Sequence, residues 1–386
     1  MTSPVNTHSN YFLFFLMAAS LASFALESVF PALPEIMNFY SHSSSAVMAS
    51  TGIFILGHAV GLMASGFARK HRYTLTLLAL IGYIVGSAGT VFAENTYLFL
   101  ILRFFQSIAA GFLTNLSITA VSTLYSSNLL SARLSLMTAS MGVMMVVSPL
   151  SGAILMTWGW KTIFLAQALV GSLILILFLS LSFPPQCFSQ GIEVHPGKIL
   201  KKPGVLSRLL AISFSFSVIM VLLSSQANIF INLISLSLGE FVLLSTLING
   251  TLIGGSIVNA WLVRTIHLER LLKWGIYSQL LITFTLVLSA TLAILPLFIC
   301  LILFAVIPMA FIGANGNASL ITEFPESTST LVVSGNILNF SVGGLAGTTV
   351  GLMNHQSMIQ PTALMMLFSF LALTCYKHSI SSFKAS

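Results

Sequence analysis

Two charged residues lie within long apolar stretches of the sequence. Glu27 lies in the stretch that begins at Tyr11, and Arg103 lies in the stretch that begins at Tyr97. An ionised side chain at the centre of a bilayer costs about 2.5–3.5 kcal/mol on insertion scales, so each of them needs compensation. Desolvation opposes ionisation of a carboxyl group, whereas a nearby cation favours it. A carboxyl group whose cation partner or water access changes during a cycle can therefore bind and release a proton.

A fixed ion pair is the structural alternative for these two residues. At a rise of 1.5 Å per residue, each lies roughly 9 Å from the outer end of its stretch, if the first stretch ends at Leu33. The two depths agree, so the geometry permits coupling either directly or across a cavity. We predict that Glu27 is a proton site and that Arg103 is its partner.

Neutral polar residues within the predicted spans are candidates for a substrate cavity. We favour Asn115 and Gln226, and we add His58, which could also relay protons. The alternative for each is a hydrogen bond between helices, which contributes about 0.6 kcal/mol in membrane proteins.

Motifs for catalysis and for metal binding are absent from the sequence. It has no HExxH, no phosphate-binding GxxxxGK[ST] and no aspartate. The three cysteines, Cys187, Cys300 and Cys375, lack the spacing of metal ligands. We therefore predict no enzymatic activity, no catalytic residue, no metal and no cofactor. Without a nucleotide-binding motif, we expect an ion gradient to supply the energy.

Membrane-spanning helices are the elements that must position these residues. The 386 residues are 56% hydrophobic and only 6% charged, whereas a soluble domain carries about 25% charged residues. Stretches of about 20 apolar residues can each cross the hydrocarbon layer as a helix. We predict an all-α membrane protein with twelve transmembrane helices, at 11–33, 44–67, 74–92, 97–124, 134–156, 162–183, 207–230, 241–263, 271–292, 294–320, 329–353 and 360–377.

A polar interval divides the chain into two halves. The segment 184–206 contains PPQ, HPG and KKPG, and its backbone would lack hydrogen-bond partners in hydrocarbon. We predict an N-terminal six-helix half at 1–183, a cytoplasmic loop at 184–206 and a C-terminal six-helix half at 207–386. Similar segments begin at Gly57 and at Asn249, and Gly61 and Gly255 within them are about half a chain apart. This weak repeat indicates pseudo-symmetric bundles of the kind found in secondary transporters.

Basic residues are concentrated in the loops of one side. If twelve spans alternate, that side carries Arg69, Lys70, Arg72, Arg133, Lys198, Lys201, Lys202, Arg208, Arg264, Arg270, Lys273, Lys377 and Lys384. The opposite side carries only Lys161. The positive-inside rule then places both termini in the cytoplasm. Because the net charge of +7 comes from these short loops, we predict no nucleic-acid partner.

Four segments carry recognisable motifs: Glu27-Ser-Val-Phe-Pro-Ala-Leu-Pro34 in the first helix, Gly61-Leu-Met-Ala-Ser-Gly-Phe-Ala-Arg-Lys70 before the third, Arg103-Phe-Phe-Gln-Ser-Ile-Ala-Ala-Gly111 in the fourth and Ser148-Pro-Leu-Ser-Gly-Ala153 in the fifth. These segments resemble motifs of the major facilitator superfamily, most closely those of its twelve-span drug:proton antiporters of the bicyclomycin/chloramphenicol-resistance type.

The resemblance implies two helical bundles, alternating access and proton coupling through the fourth-helix Arg103. It also implies gating roles for two groups of residues: Gly61, Arg69 and Lys70 in the loop motif, and Ser148, Pro149 and Gly152 in the fifth-helix motif. The loop motif departs from the family pattern, because Ser65 replaces the usual aspartate and Ala68 replaces a glycine. That aspartate helps to lock the cytoplasmic gate in the family, so we expect different gating energetics here.

These observations predict a proton-coupled exporter of small amphipathic compounds in a bacterial inner membrane. We expect a multi-pass monomer whose partners are a small-molecule substrate, protons and the lipid bilayer. A second hypothesis is a transporter of one endogenous metabolite, by siderophore export or nutrient uptake, although the motif around Pro149 favours export. A third is a membrane receptor or structural protein without transport, which would need neither the central loop nor the internal repeat.

Overall fold

Helices make up all the regular secondary structure in the described part of the chain. The structure is a computed structural model and describes residues 4–40, 44–68, 70–125, 127–189, 199–353 and 356–385. The α-helices are α1 (Pro4–Glu27), α2 (Leu33–Phe39), α3 (Ser44–Phe67), α4 (Arg72–Val91), α5 (Thr96–Leu124), α6 (Ser127–Met156), α7 (Lys161–Ser180), α8 (Gln186–Ser189), α9 (Val205–Ala227), α10 (Leu238–Leu262), α11 (Leu268–Thr291), α12 (Leu295–Phe304), α13 (Ile307–Glu323), α14 (Thr328–Leu352) and α15 (Ile359–Ala385).

Twelve helical segments are long and apolar enough to cross a membrane, which confirms the predicted fold class. Nine of the spans are formed by single helices, and three are composite. Span 1 combines α1 with α2, span 7 extends α9 by a π-helix at Asn228–Leu233, and span 10 combines α12 with α13. The observed and predicted bounds differ most at the C-terminal ends of the first and last spans.

Span 1 is broken immediately after Glu27. Helix α1 ends there, a 3₁₀ turn follows at Phe30–Ala32, and α2 continues the span to Phe39. The expectation that this span ends at Leu33 was therefore wrong. The prolines explain the difference, because Pro31 and Pro34 occupy first-turn positions of the two short helices. Proline is tolerated at such positions because its missing N–H would have no intrahelical acceptor there.

The chain divides into two compact units. Unit 1 comprises Met1–Ser41 and Leu56–Glu193, and unit 2 comprises His42–Ile55 and Val194–Ser386. Helix α3 thus contributes its first half to unit 2, whereas the sequence placed the whole helix in the N-terminal half. Close packing explains the assignment, since a methyl group on Gly52 would overlap the backbone of Thr348 in α14.

Each unit has its own packing order. In unit 1, α5 packs against α1, α4 and α6, while α7 packs against α4 and α1. In unit 2, α9 packs against α14 and α15, and α11 packs against α13 and α15. Helix α6 also packs against the 3₁₀ turn of span 1, so the break after Glu27 lies beside the fifth-helix motif.

Candidate functional site

The end of helix α1 is the centre of a buried polar site in unit 1. Glu27, the last residue of α1, is 2% exposed, and Arg103 of α5 is 1% exposed. Arg103 Nη1 donates to the Ala25 carbonyl oxygen at 3.1 Å, and Gln167 Nε2 donates to the same oxygen at 3.3 Å. Carbonyls in the last turn of a helix lack intrahelical donors. The break after Glu27 therefore leaves an acceptor that the two side chains use.

Two glutamines extend this site across four helices. Arg103 Nη1 also donates to Gln106 Oε1 at 2.9 Å. Gln106 Nε2 donates to Ser87 Oγ in α4 at 2.6 Å and to Gln167 Oε1 in α7 at 2.8 Å. Gln167 Nε2 completes the chain by donating to Ser28 Oγ at 2.9 Å. All five side chains are buried, so these hydrogen bonds form without competition from bulk water, and those between helices hold the helices in register.

Sequence reasoning found part of this network. It identified Arg103 and gave no role to Gln106 or Ser28. The spacing of Gln106, three residues after Arg103, could have identified it, because residues i and i+3 lie on one helix face. No comparable signal existed for Gln167, since its partners lie on other helices.

The fifth-helix motif packs directly against the site. Ser148, Pro149 and Gly152 are all buried, and α6 continues through Pro149 without ending. A methyl group on Gly152 would overlap the Ser28 carbonyl oxygen, so the absence of a side chain there permits the contact. Gly142 in the same helix has no atom near the corresponding position. Close approach is thus a property of the motif and not of every glycine in α6.

The loop motif begins in a close contact and ends at the surface. A methyl group on Gly61 would overlap the Ile108 carbonyl oxygen of α5. Lys70 is exposed, and Arg69 lies outside the described residues. Arg72 Nη2 donates to the Ser65 carbonyl oxygen at 3.3 Å, and both residues are buried. The position where the family carries an aspartate therefore lies beside a buried arginine.

Four cavities described within the two units are lined by residues other than the three predicted cavity residues. Asn115 Nδ2 donates to the Leu62 carbonyl oxygen at 3.4 Å, a contact between α5 and α3. His58 is buried where Gly111 of α5 approaches its carbonyl. Gln226 is buried just before the π-helix, and no donor among the described residues reaches its Oε1. Their assignment to a substrate cavity stays a prediction.

An apolar cavity of about 310 Å³ lies between α1, α6 and α7 in unit 1. Its lining includes Phe24, Met144 and Ser151. Phe24 is joined to the site by a hydrogen bond from the Ser28 amide to the Phe24 carbonyl at 3.2 Å. Ser151 precedes the glycine that contacts Ser28. The cavity and the polar site are therefore neighbours along both α1 and α6.

Comparison of the sequence with known families identifies the fold and the class of protein. The sequence matches the family model of the Major Facilitator Superfamily over residues 13–348, which is most of its length. The chain belongs to the Major Facilitator Superfamily. Because members of this superfamily are transporters, the third hypothesis, a receptor or structural protein without transport, has no support.

Two proteins with sequences similar to this superfamily member are named for drug resistance. The chain is 26% identical to the "Bicyclomycin resistance protein homolog" of Haemophilus influenzae over 95% of its own length and 94% of that protein. It is 23% identical to the "Multidrug resistance protein MdtL" of Escherichia coli over 60% of its own length. That alignment spans 62% of MdtL, less than two thirds of the relative.

Solved structures of the superfamily share the fold. The D-xylose-proton symporter gives a TM-score of 0.79 at 14% identity and covers 96% of this chain and 98% of its own. A bacterial homolog of the human lysosomal transporter Spinster gives a TM-score of 0.76 at 16% identity and covers 98% and 97%. At such identities the similarity establishes the architecture and carries no information on the substrate.

Proposed function

We propose that this superfamily member is a proton-coupled antiporter that exports small amphipathic compounds. The observation that carries the proposal is the buried Glu27 carboxyl group at the end of α1, two residues after the Ala25 carbonyl that binds Arg103. A carboxyl group in a membrane span is a functional candidate because its burial is costly. The names of the two drug-resistance relatives support the direction and the substrate class.

The proposed cycle uses Glu27 as the group that binds and releases the proton. Protonation removes the charge of the carboxyl group and with it the attraction to Arg103. The guanidinium keeps two neutral acceptors, the Ala25 carbonyl and Gln106 Oε1, at 3.1 and 2.9 Å. Arg103 therefore needs no large movement to accommodate either protonation state. Movement of α6 against the Ser28 backbone would link the two states to substrate binding.

The apolar cavity in unit 1 supplies a place for the apolar part of a substrate. Its volume of about 310 Å³ lies at the lower end of the range for small-molecule pockets. The hydroxyl groups at its wall already form hydrogen bonds within the protein. Ser20 Oγ and Ser140 Oγ are hydrogen-bonded at 3.0 Å, and Ser151 Oγ donates to the Ser148 carbonyl oxygen. Such a lining favours apolar groups over polar ones.

The cellular placement is part of the same proposal. The basic residues concentrated on one side favour cytoplasmic termini in a bacterial inner membrane. We expect a monomer, because the proposed chemistry requires no second copy.

Everted membrane vesicles provide the test. With an acidic lumen, the wild-type protein should accumulate a fluorescent amphipathic dye, and Glu27→Gln should insert normally but fail to accumulate it. Glu27→Asp should retain partial coupling because only the reach of the carboxyl group shortens. A merely structural ion pair predicts that Glu27→Gln loses stability and that adding Arg103→Gln restores both stability and transport. Full accumulation by Glu27→Gln, or rescue by the double variant, would falsify the proton-site assignment.

A transporter of one polar metabolite is the second candidate. The observation in its favour is the buried Gln226, whose Oε1 has no donor among the described residues and could accept one from a polar solute. Competition in the same vesicles separates the candidates. Several unrelated apolar compounds should each inhibit dye accumulation by a multidrug exporter, whereas a dedicated transporter should be insensitive to most of them.

A further inference from the structure

A basic cleft opens in unit 2 at the ends of four helices. It has a volume of about 760 Å³ and lies between the first turns of α9 and α11 and the last turns of α13 and α15. Its charged lining residues are Arg208, Glu269, Arg270, Lys273 and Glu323. The cleft carries one more cation than carboxylates, so it attracts an anion.

The charges in this cleft have different partners. Arg208 is buried and donates to Glu269, to Ser319 Oγ at 2.9 Å and to Ser379 Oγ at 3.1 Å. Its role is therefore structural. Arg270 and Lys273 are exposed, and neither forms an ion pair with a carboxylate in the described ranges. These two cations remain available for a ligand.

A separate apolar groove lies between two of these helices and begins one helical turn from Lys273 of the cleft. The groove, of about 560 Å³, is lined by Tyr277, Leu281 and Phe284 of α11 and by Met366, Leu367 and Phe370 of α15. Lys273, Tyr277, Leu281 and Phe284 are spaced by three or four residues and so lie on one face of α11. From Lys273 to Phe284 the helix rises about 16 Å, which is roughly half of the hydrocarbon thickness.

We propose that cleft and groove together bind one anionic phospholipid. Arg270 and Lys273 take the phosphodiester headgroup, and one acyl chain lies in the groove. A free phosphate would use the cleft but would have no use for the apolar groove beside it. Basic pockets between helices at the cytoplasmic surface suit anionic headgroups, and half a bilayer is the depth that the chain of a single leaflet reaches. Trp274, half-exposed in the cleft, lies where aromatic residues mark the membrane interface.

Trp274 also provides the readout. A variant with Trp158→Phe, Trp160→Phe and Trp261→Phe retains Trp274 as its only tryptophan. It is reconstituted in phosphatidylcholine vesicles to which one of two brominated lipids is added, brominated phosphatidylglycerol or brominated phosphatidylcholine. Bromine atoms on the acyl chains quench the fluorescence of nearby tryptophans. We expect brominated phosphatidylglycerol to quench Trp274 at a much lower mole fraction than brominated phosphatidylcholine.

Matched variants distinguish the lipid from other ligands. Arg270→Gln with Lys273→Gln should reduce the preference for phosphatidylglycerol by about 25-fold, since each basic residue near a membrane surface contributes roughly a factor of five. Lys201→Gln with Arg264→Gln removes two exposed charges outside the cleft and should leave the preference unchanged. Equal quenching by the two lipids, or a preference that survives the cleft substitutions, would overturn the proposal. Loss of the preference on adding inorganic phosphate would assign the cleft to a free anion instead.

Discussion

The guanidinium of Arg103 donates a 3.1 Å hydrogen bond to the carbonyl oxygen of Ala25, two residues before Glu27. This bond joins α5 to the broken end of α1 without using the glutamate itself. One of the groups that hold Arg103 is thus a backbone carbonyl, which does not titrate, whereas the carboxyl group of Glu27 can gain or lose a proton.

Gln167 should be a positioning residue for this contact. Gln167→Leu removes the donor to Ser28 and Ala25 and one acceptor of Gln106, so it should lower the free energy of unfolding by about 1–3 kcal/mol. Gln279→Leu is a matched control, because buried Gln279 makes one hydrogen bond, to the Ser215 carbonyl, among the described residues. Thermal unfolding in detergent compares the stability of the two variants. Transport by Gln167→Leu should also show a shifted pH profile, and an unchanged profile would leave the residue a purely structural role.

Two glycines of α6 should respond differently to the same substitution. Gly152→Ala places a methyl group against the Ser28 carbonyl, so we expect a loss of about 1–3 kcal/mol in stability and strongly reduced dye accumulation. Gly142→Ala meets no neighbouring atom and should be neutral or slightly stabilising, because alanine favours helix. Equal behaviour of the two variants would remove the special role of the fifth-helix motif.

Filling the apolar cavity of unit 1 should change substrate selection. Met144→Trp adds bulk to its wall, and we expect about tenfold weaker transport of the largest substrates with little effect on the smallest. Val143→Trp adds the same bulk at an adjacent, half-exposed position outside the cavity lining. Dye accumulation measured over a series of increasing substrate size compares them. A uniform loss for all sizes in Met144→Trp would point to misfolding instead of a substrate contact.

Cys187 should be protected by burial in the short helix α8. Its side chain is 1% exposed, and burial raises the pKa of the Cys187 thiol to about 12. In a variant with Cys300→Ser and Cys375→Ser, maleimide labelling at pH 8 should be slow until the protein unfolds. Because the unfolded thiol ionises first, its contribution to stability is constant below pH 9 and declines as the pH rises from about 9 toward 12.

The exposed neighbour of that cysteine provides the control. In the same Cys300→Ser and Cys375→Ser background, Gln186→Cys with Cys187→Ser presents a thiol on the same helix at an exposed position. This thiol should label rapidly in the folded protein. Fast labelling of native Cys187 would show that α8 opens readily.

Reporter fusions test the membrane orientation. An enzyme active only outside the cytoplasm should be inactive when fused after Lys202 and active when fused near Lys161, because the basic loops are proposed to be cytoplasmic. A second reporter, active only in the cytoplasm, should give the reciprocal result. Activity of one reporter at both positions would contradict the proposed arrangement.

Composition and hydropathy were sufficient to predict the twelve spans, because helices in a bilayer must be apolar and of a minimum length. The prediction at 97–124, for example, corresponds to the observed span at Thr96–Leu124. The end of span 1 was not predictable in this way. Pro31 and Pro34 are equally compatible with a loop after the helix and with the first turns of two new helices.

The candidate site was only partly predictable for a different reason. An intramembrane charge such as Arg103 is rare, and so it is visible in one sequence. Its hydrogen-bond partners depend on how the helices face one another. The acceptor in Ala25 is a backbone carbonyl, which every residue type has, so the sequence could not identify it. The grouping of residues 42–55 with unit 2 likewise depends on the close contact between Gly52 and Thr348. One glycine in a sequence does not predict such a contact.

The break after Glu27 has an electrostatic consequence for the proposed cycle. Helix α1 has 24 residues, and the aligned peptide dipoles of such a helix place about half a negative charge at its C-terminal end. Arg103 binds a carbonyl of that end, so part of its counter-charge is supplied by the backbone and is independent of pH. When the carboxyl group gains a proton, the arginine loses one source of negative potential and keeps the other. The helix terminus therefore acts as a permanent counter-ion, which allows the glutamate to serve as an exchangeable one.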